Sequence, residues 1–439
     1  MGGFRPLPSM KAFTLLLALV IPLLSGCANF RRLASDLKVL DEEYRVLGVI
    51  ENADQQHAPV RAAVVEWDRA ANRVYSGDRI DISPGGAFAF SVKSPLHQHL
   101  LAYADSNRNG RCDADEPLWI HTGIDGKPAA LAFDPTTRNT RVRGRLGPVA
   151  LPNGLREAVD TFLAGRTVEQ AVTNHGIRLS LGEIARLDDP RFAATRGEDG
   201  LWTPATVAIT SGFGIYFLEP YDPARTPVLF VHGAAGSPQD WRYAMERLDR
   251  RRYQPWFVFY PSGGRLETCA RLLDQGVTLL HSRYGFRRLH VVAHSMGGLV
   301  ARRFIELNAV DGGNRYIHTF ITFSTPWAGH EAATSGVKWA PSVVPSWRDV
   351  APGSAFLEHL FDYRLKGLVA HHLFYGHRGK RSLLLPVEND GTVSVASQLR
   401  AEARADAASV QGYDEDHVSI LSARTPLLRG KQILDAATP

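Results

Sequence analysis

The sequence predicts an α/β protein in which a mostly parallel sheet flanked by helices follows a smaller all-β unit. Three observations carry this expectation. From about residue 205 to the end, short apolar runs alternate with helical patterns, as βαβ units require. Residues 45–148 instead hold short strand-like runs split by turn residues, the pattern of a sandwich. The intervening 149–204 reads as a helical connector. A chain of 439 residues accommodates several such units. Its 44% hydrophobic and 22% charged content is that of globular material rather than disorder. The formal net charge of +5 is spread without a Lys/Arg block, so nucleic acid is not an expected partner.

In order, residues 1–26 read as an export signal. Arg5 and Lys11 precede the apolar run Ala12–Leu24, and small residues follow. The run is 13 residues, short for a membrane span. The sequence Leu24-Ser25-Gly26-Cys27 resembles the lipobox of bacterial lipoproteins. That resemblance implies acylation of Cys27 and a lipid-anchored place in the cell envelope. Ala28 rather than Asp after the cysteine implies the outer membrane of a Gram-negative bacterium. An ordinary secretory signal ending in Cys is the other reading. Within 27–44, Phe30, Leu33, Leu37, Leu40 and Tyr44 recur at helical spacing, a spacer expected to pack on a neighbouring domain rather than lie on the membrane. Cys112 and Cys269 fall in different units and are expected to be unpaired, buried thiols.

Strands are expected at 46–51, 62–67, 87–92 and 100–104. The region resembles the small β-sandwich modules that precede catalytic domains in exported proteins. After the fourth run, Asp105, Asn107, Asn109, Asp113 and Glu116, with Gly110 between, match the spacing of an EF-hand loop. The strand-like entry and Pro117 at the exit do not. A structural Ca2+ site and an Asx-rich turn held by its own side chains both remain open. Farther on, Thr167-x-x-Gln170 and Ser180-x-x-Glu183 look like capping boxes opening short helices.

The region 205–439 carries the chemistry. Strands are expected at 213–218, 228–231, 256–260, 289–293 and 317–323, with helices at 239–249, 264–282 and 297–308. Active sites on such sheets lie at the carboxyl ends of the strands. Ser295 sits at one, in Ala293-His294-Ser295-Met296-Gly297-Gly298, between strand and helix. A strained turn there projects a serine hydroxyl from the sheet. Serine needs a base to take its proton, the base needs a carboxylate to orient it, and the oxyanion needs N–H donors. His417, in Asp416-His417-Val418-Ser419, is the candidate base. Asp390, in Asn389-Asp390-Gly391 after a strand-like Ser382–Val387, is the candidate acid, with Glu388 and Asp349 as rivals. The run Val228–Val231 opens into His232-Gly233-Ala234, a candidate donor loop.

The order Ser, Asp, His and the His-Gly loop resemble the α/β-hydrolases, and Ala-His-Ser-Met-Gly is a form of the serine motif in some bacterial lipases. The resemblance implies backbone N–H donors at Ala234 and Met296 and a cap over the site at about 327–381. That stretch is rich in apolar residues, Trp327, Trp339, Leu357 and Leu360 among them. Core packing and acyl-chain binding are both open for each. His294 and His330 read as structural, and His371-His372 as surface or lid. The implied activity is lipase- or esterase-like cleavage of carboxylic esters or lipids through an acyl-enzyme, with no cofactor needed for catalysis. An acyltransferase or phospholipase with the same residues, or a non-catalytic envelope scaffold, are the alternatives.

Overall fold

The computed structural model describes residues 28–37, 44–68, 73–82, 85–92, 94–135, 138–151, 155, 174–177, 179–380 and 386–437. The export signal, Cys27 and Thr167-x-x-Gln170 lie outside them.

Helix α1 covers 28–37. Strands β1 (Tyr44–Ile50), β2 (Val60–Asp68), β3 (Arg73–Asp81), β4 (Ala87–Val92), β5 (Gln98–Ala104), β6 (Leu118–Ile120), β7 (Asn139–Gly144) and β8 (Asn174–Ile177) form two sheets. Their orders are β7-β1-β4-β8 and β3-β2-β5-β6. Val46, Phe88 and Phe90 of one sheet pack with Val64, Leu100 and Ala102 of the other. The four apolar runs are β1, β2, β4 and β5. Strand β3 escapes a period-2 reading because charged residues interrupt Arg73–Asp81, and it is held by pairing to β2.

The calcium expectation is overturned. Among the described residues no group of three or more His, Cys, Asp or Glu could hold a metal ion. Most of the loop oxygens are engaged by donors of the loop and by Arg61, with Asp105 Oδ1 buried without a partner among the described residues. Asp105 accepts from Arg61 at 2.5 Å and from the Gly110 N–H at 3.0 Å. The side-chain amides of Asn107 and Asn109 donate to Asp113 at 2.6 and 2.7 Å. Glu116 accepts from the N–H groups of Ser106 and Asp113. This is the Asx-rich turn.

One position separates β8 from β9 (Leu179–Ile184), which belongs to a different, eight-stranded sheet. The further strands are β10 (Phe213–Phe217), β11 (Thr226–Val231), β12 (Tyr253–Phe259), β13 (Leu289–His294), β14 (Ile317–Phe323), β15 (Ala370–Gly376) and β16 (Ala407–Tyr413). The order is β16-β15-β14-β13-β11-β12-β10-β9. Neighbours are parallel except β10 against β12. This is the α/β-hydrolase architecture expected from the sequence, preceded by the smaller sheets. The flanking helices include α2 (Ala194–Trp202), α3 (Pro204–Thr210), α4 (Arg242–Arg247), α5 (Leu266–Tyr284) and α6 (Met296–Ile305). Helix α1 packs on α2 and α3: Leu33 is buried, Phe30 meets Trp202 edge-on, and Asp36 accepts from the N–H groups of Ala205 and Thr206.

Several local expectations yield to sheet pairing. Ser180–Glu183 is strand β9, not a helix start, because Leu181 is buried against the sheet and the ladder with β10 outweighs a cap worth about 1 kcal/mol. The main sheet therefore begins at Leu179 rather than 205. Residues 382–385 of the strand expected before Asp390 lie outside the described residues, and Pro386 and Val387 are not in a strand. Among the described residues, the last strand before Asp390 is β15. It carries His371, which is fully buried rather than at the surface or in a lid, and lies inside the stretch read as cap. That stretch also holds helices α7 (Glu331–Trp339), α8 (Pro345–Val350) and α9 (Ala355–His359). Trp327, Leu357 and Leu360 belong to the main core, whereas Trp339 is 75% exposed.

Candidate active site

Buried β13 ends at His294, and the chain must reverse at once to start α6. Ser295 takes the turn with φ 52° and ψ −132°, a conformation costly for a side-chain-bearing residue. Its N–H donates to Phe323 of β14 and its carbonyl accepts from Gly298, which pins both sides of the turn. Gly297 has a steric reason: a Cβ there would stand 2.2 Å from the His232 carbonyl oxygen. A Cβ on Gly233 would stand 2.9 Å from Cβ of Ser295. The His-Gly loop thus runs directly against the serine turn.

The loops after β15 and β16 supply the other groups. His417 Nε2 lies 2.9 Å from Ser295 Oγ, and Nδ1 lies 2.7 Å from Asp390 Oδ2. With Nδ1–H donating to the carboxylate, Nε2 is left to accept the serine O–H. The His417 N–H also donates to the Asp390 carbonyl at 2.8 Å, fixing one loop to the other. Asp390 is fully buried, and its Oδ1 accepts from the N–H groups of Thr392 and Val393 at 3.0 and 2.7 Å. Burial alone raises a carboxyl pKa. Here the His417 contact and the two N–H groups outweigh it and hold Asp390 below the usual range. The rivals lie elsewhere: Glu388 is exposed, and Asp349 pairs with Arg265 at 2.7 Å and accepts the Leu266 N–H at the start of α5.

Around the serine, Tyr260 O–H donates to the His232 carbonyl and the Ala235 N–H donates to Ser262 Oγ. Ala235 is held at φ 54°. Among the described residues, neither the Ala234 nor the Met296 N–H is engaged by a protein acceptor. His294, read from sequence as merely structural, donates from Nε2 to the His417 carbonyl at 2.8 Å. Burial first, with His417 beside it, pushes its pKa down to about 3, so the ring is neutral and holds that donor. No sequence pattern signals this contact, because the partners are 123 residues apart. His330 accepts the Ala332 N–H at the start of α7, and the next residue, Glu331, accepts from Ser394 Oγ at 2.8 Å. Helix α7 is thereby tied to the loop that carries Asp390. His371 lies away from these groups, against Thr322 Oγ1.

Residues 225–355 match a family described as "Putative serine esterase (DUF676)". No curated protein matches the chain. Among solved structures, Bacillus licheniformis lipase BlEst2 in its mature form is 18% identical, covering 51% of this chain and 98% of its own, with a TM-score of 0.41. Aspergillus fumigatus lipase B is 14% identical over 51% of this chain and 56% of its own, with a TM-score of 0.39. The product of gene lin2722 from Listeria innocua is 14% identical over 48% of this chain and 94% of its own, with a TM-score of 0.37.

Proposed function

We propose that this chain is a membrane-anchored serine hydrolase that cleaves carboxylic esters through an acyl-enzyme. The observation that carries the reading is the unbroken hydrogen-bond line from Asp390 through His417 to Ser295. Ser295 Oγ attacks the ester carbonyl as His417 Nε2 takes its proton, and Asp390 balances the imidazolium. The oxyanion of the tetrahedral intermediate is met by the N–H groups of Ala234 and Met296, which have no other acceptor among the described residues. His417 then protonates the departing alkoxide, leaving an acyl group on Ser295. A water, activated by the same imidazole, attacks that acyl group, and the collapse returns the proton to Ser295 and releases the acid. Cys27, acylated after signal cleavage, holds the enzyme at the outer membrane, where esters of long-chain acids are at hand.

The test is labelling with a fluorophosphonate probe, followed by a chain-length series of nitrophenyl esters. Stoichiometric labelling that disappears in Ser295→Ala is expected. An unlabelled wild type, or a Ser295→Ala protein labelled as strongly, rejects the reading.

A further inference from the structure

A cavity of about 540 Å³ lies between the sandwich and the main sheet. That volume falls in the range of small-molecule sites. Its apolar wall is drawn from both domains: Leu47 on β1 and Ala89 on β4 face Leu179 on β9, Ala208 on α3 and Leu272 on α5. Five arginines also line it, Arg45, Arg141, Arg265, Arg271 and Arg348, and among the described residues no aspartate or glutamate does. Two of the five are neutralised from outside the cavity, Arg265 by Asp349 and Arg271 by Glu267. Among the described residues, Arg141 and Arg348 have no carboxylate partner.

Cations of one sign beside low-dielectric walls concentrate the opposite charge, and guanidinium suits carboxylate and phosphate groups in particular. We propose that this cavity binds one anionic amphiphile, with its acyl chain along the apolar wall and a carboxylate or phosphate head at Arg141 and Arg348. Neither a neutral lipid nor a fully hydrophilic anion uses both surfaces. Ser295, His417 and Asp390 do not line the cavity, so the site is separate from the candidate active site and independent of the ester-hydrolase reading.

The experiment is titration calorimetry of the full chain with dodecanoate, dodecyl phosphate and dodecanol, each below its aggregation concentration. One equivalent of either or both anions is expected to bind at least tenfold more tightly than the alcohol, and the tighter of the two identifies the head group. Arg141→Glu combined with Arg348→Glu is expected to weaken the anions at least tenfold and leave the alcohol unchanged. Both side chains are exposed, so the double variant should fold. Ala208→Trp, which fills the cavity, is expected to abolish binding, whereas Ser295→Trp is expected to leave it intact. Dodecanol binding as tightly as dodecanoate, no effect of the charge reversal, or loss of binding in Ser295→Trp alone overturns the proposal. The comparison of alcohol with anion on the wild type decides even if Ala208→Trp fails to fold.

Discussion

The imidazole of His294 and the backbone carbonyl of His417 lie 2.8 Å apart, with the two rings 4.7 Å between centroids. His294, the chain neighbour of Ser295, therefore donates to the backbone of His417, the proposed base. Replacement by Leu removes the donor and leaves a buried carbonyl unpaired, at about 1–3 kcal/mol. His294→Leu should lower kcat by about 10- to 100-fold through misplacement of His417. KM for a short nitrophenyl ester should change little. An unaltered kcat would show that the contact is only packing.

Asp390→Asn should keep the fold and lose most of the turnover. The amide presents a donor or an uncharged acceptor to Nδ1, which disfavours the tautomer that leaves Nε2 free. A fall of roughly 10⁴-fold in kcat is expected where the carboxylate orients such an imidazole. Steady-state kinetics of Asp390→Asn beside Glu388→Gln tests it, since Glu388 is exposed and its variant should behave as wild type.

Burial holds four histidines neutral: His232 is pushed down to about 4, His290 and His294 to about 3, and His371 well below its usual value. In the unfolded chain these imidazoles take up protons as the pH falls through about 6.5. The folded chain does not until near 4 or below. Between those limits the unfolded state binds more protons, so stability rises with pH. The depressed carboxyl of Asp390 contributes in the same direction only at lower pH, as it titrates toward its folded value. Tm should fall from pH 7 to pH 5, with uptake of at least four protons on unfolding. Calorimetric melts with equal Tm at the two pH values would count against this.

Two glycines should respond oppositely to alanine. Gly297→Ala drives a Cβ to 2.2 Å from a backbone oxygen, and neither the loop nor the helix can yield without moving Ser295. A loss of about 1–3 kcal/mol and near-complete inactivation are expected. In the last helix, Arg424–Ala437, a Cβ on Gly430 would meet Ile321, Phe323 and Phe374 at an ordinary 4.0 Å. Gly430→Ala should therefore stabilise by up to about 1 kcal/mol, from backbone entropy alone. Denaturant midpoints of the two variants decide both.

Because amides, backbone N–H groups and Arg61 already engage most oxygens of the Asp105–Glu116 loop, adding calcium or a chelator should leave Tm unchanged. Asn109→Ala, which removes one internal donor, should lower it by an amount that calcium does not restore. A calcium-dependent rise in Tm would reinstate a metal site.

Local order in the chain was enough to place Ser295 at a strand-to-helix turn, because a buried apolar run, small residues and a helical period adjoin one another in sequence. The same holds for β11 opening into the His-Gly loop and for four sandwich strands. Pairing across the chain was not legible that way. The segment Ser180–Glu183 carries a helix-start pattern, yet it is an edge strand, since burial of Leu181 and the ladder to β10 exist only once Phe213–Phe217 is beside it. Likewise, among the described residues, the last strand before Asp390 is His371-bearing β15, whose burial comes from its neighbours β14 and β16. The EF-hand spacing fixed which oxygens are near one another, but the fold decided that amides and Arg61, not a cation, would meet them. The line of Asp390, His417 and Ser295, the grip of His294 on His417, and the arginine-lined cavity all join residues distant in sequence. Only the tertiary structure decides such contacts, because each depends on distances set by how the sheets pack rather than on the identity of adjacent residues.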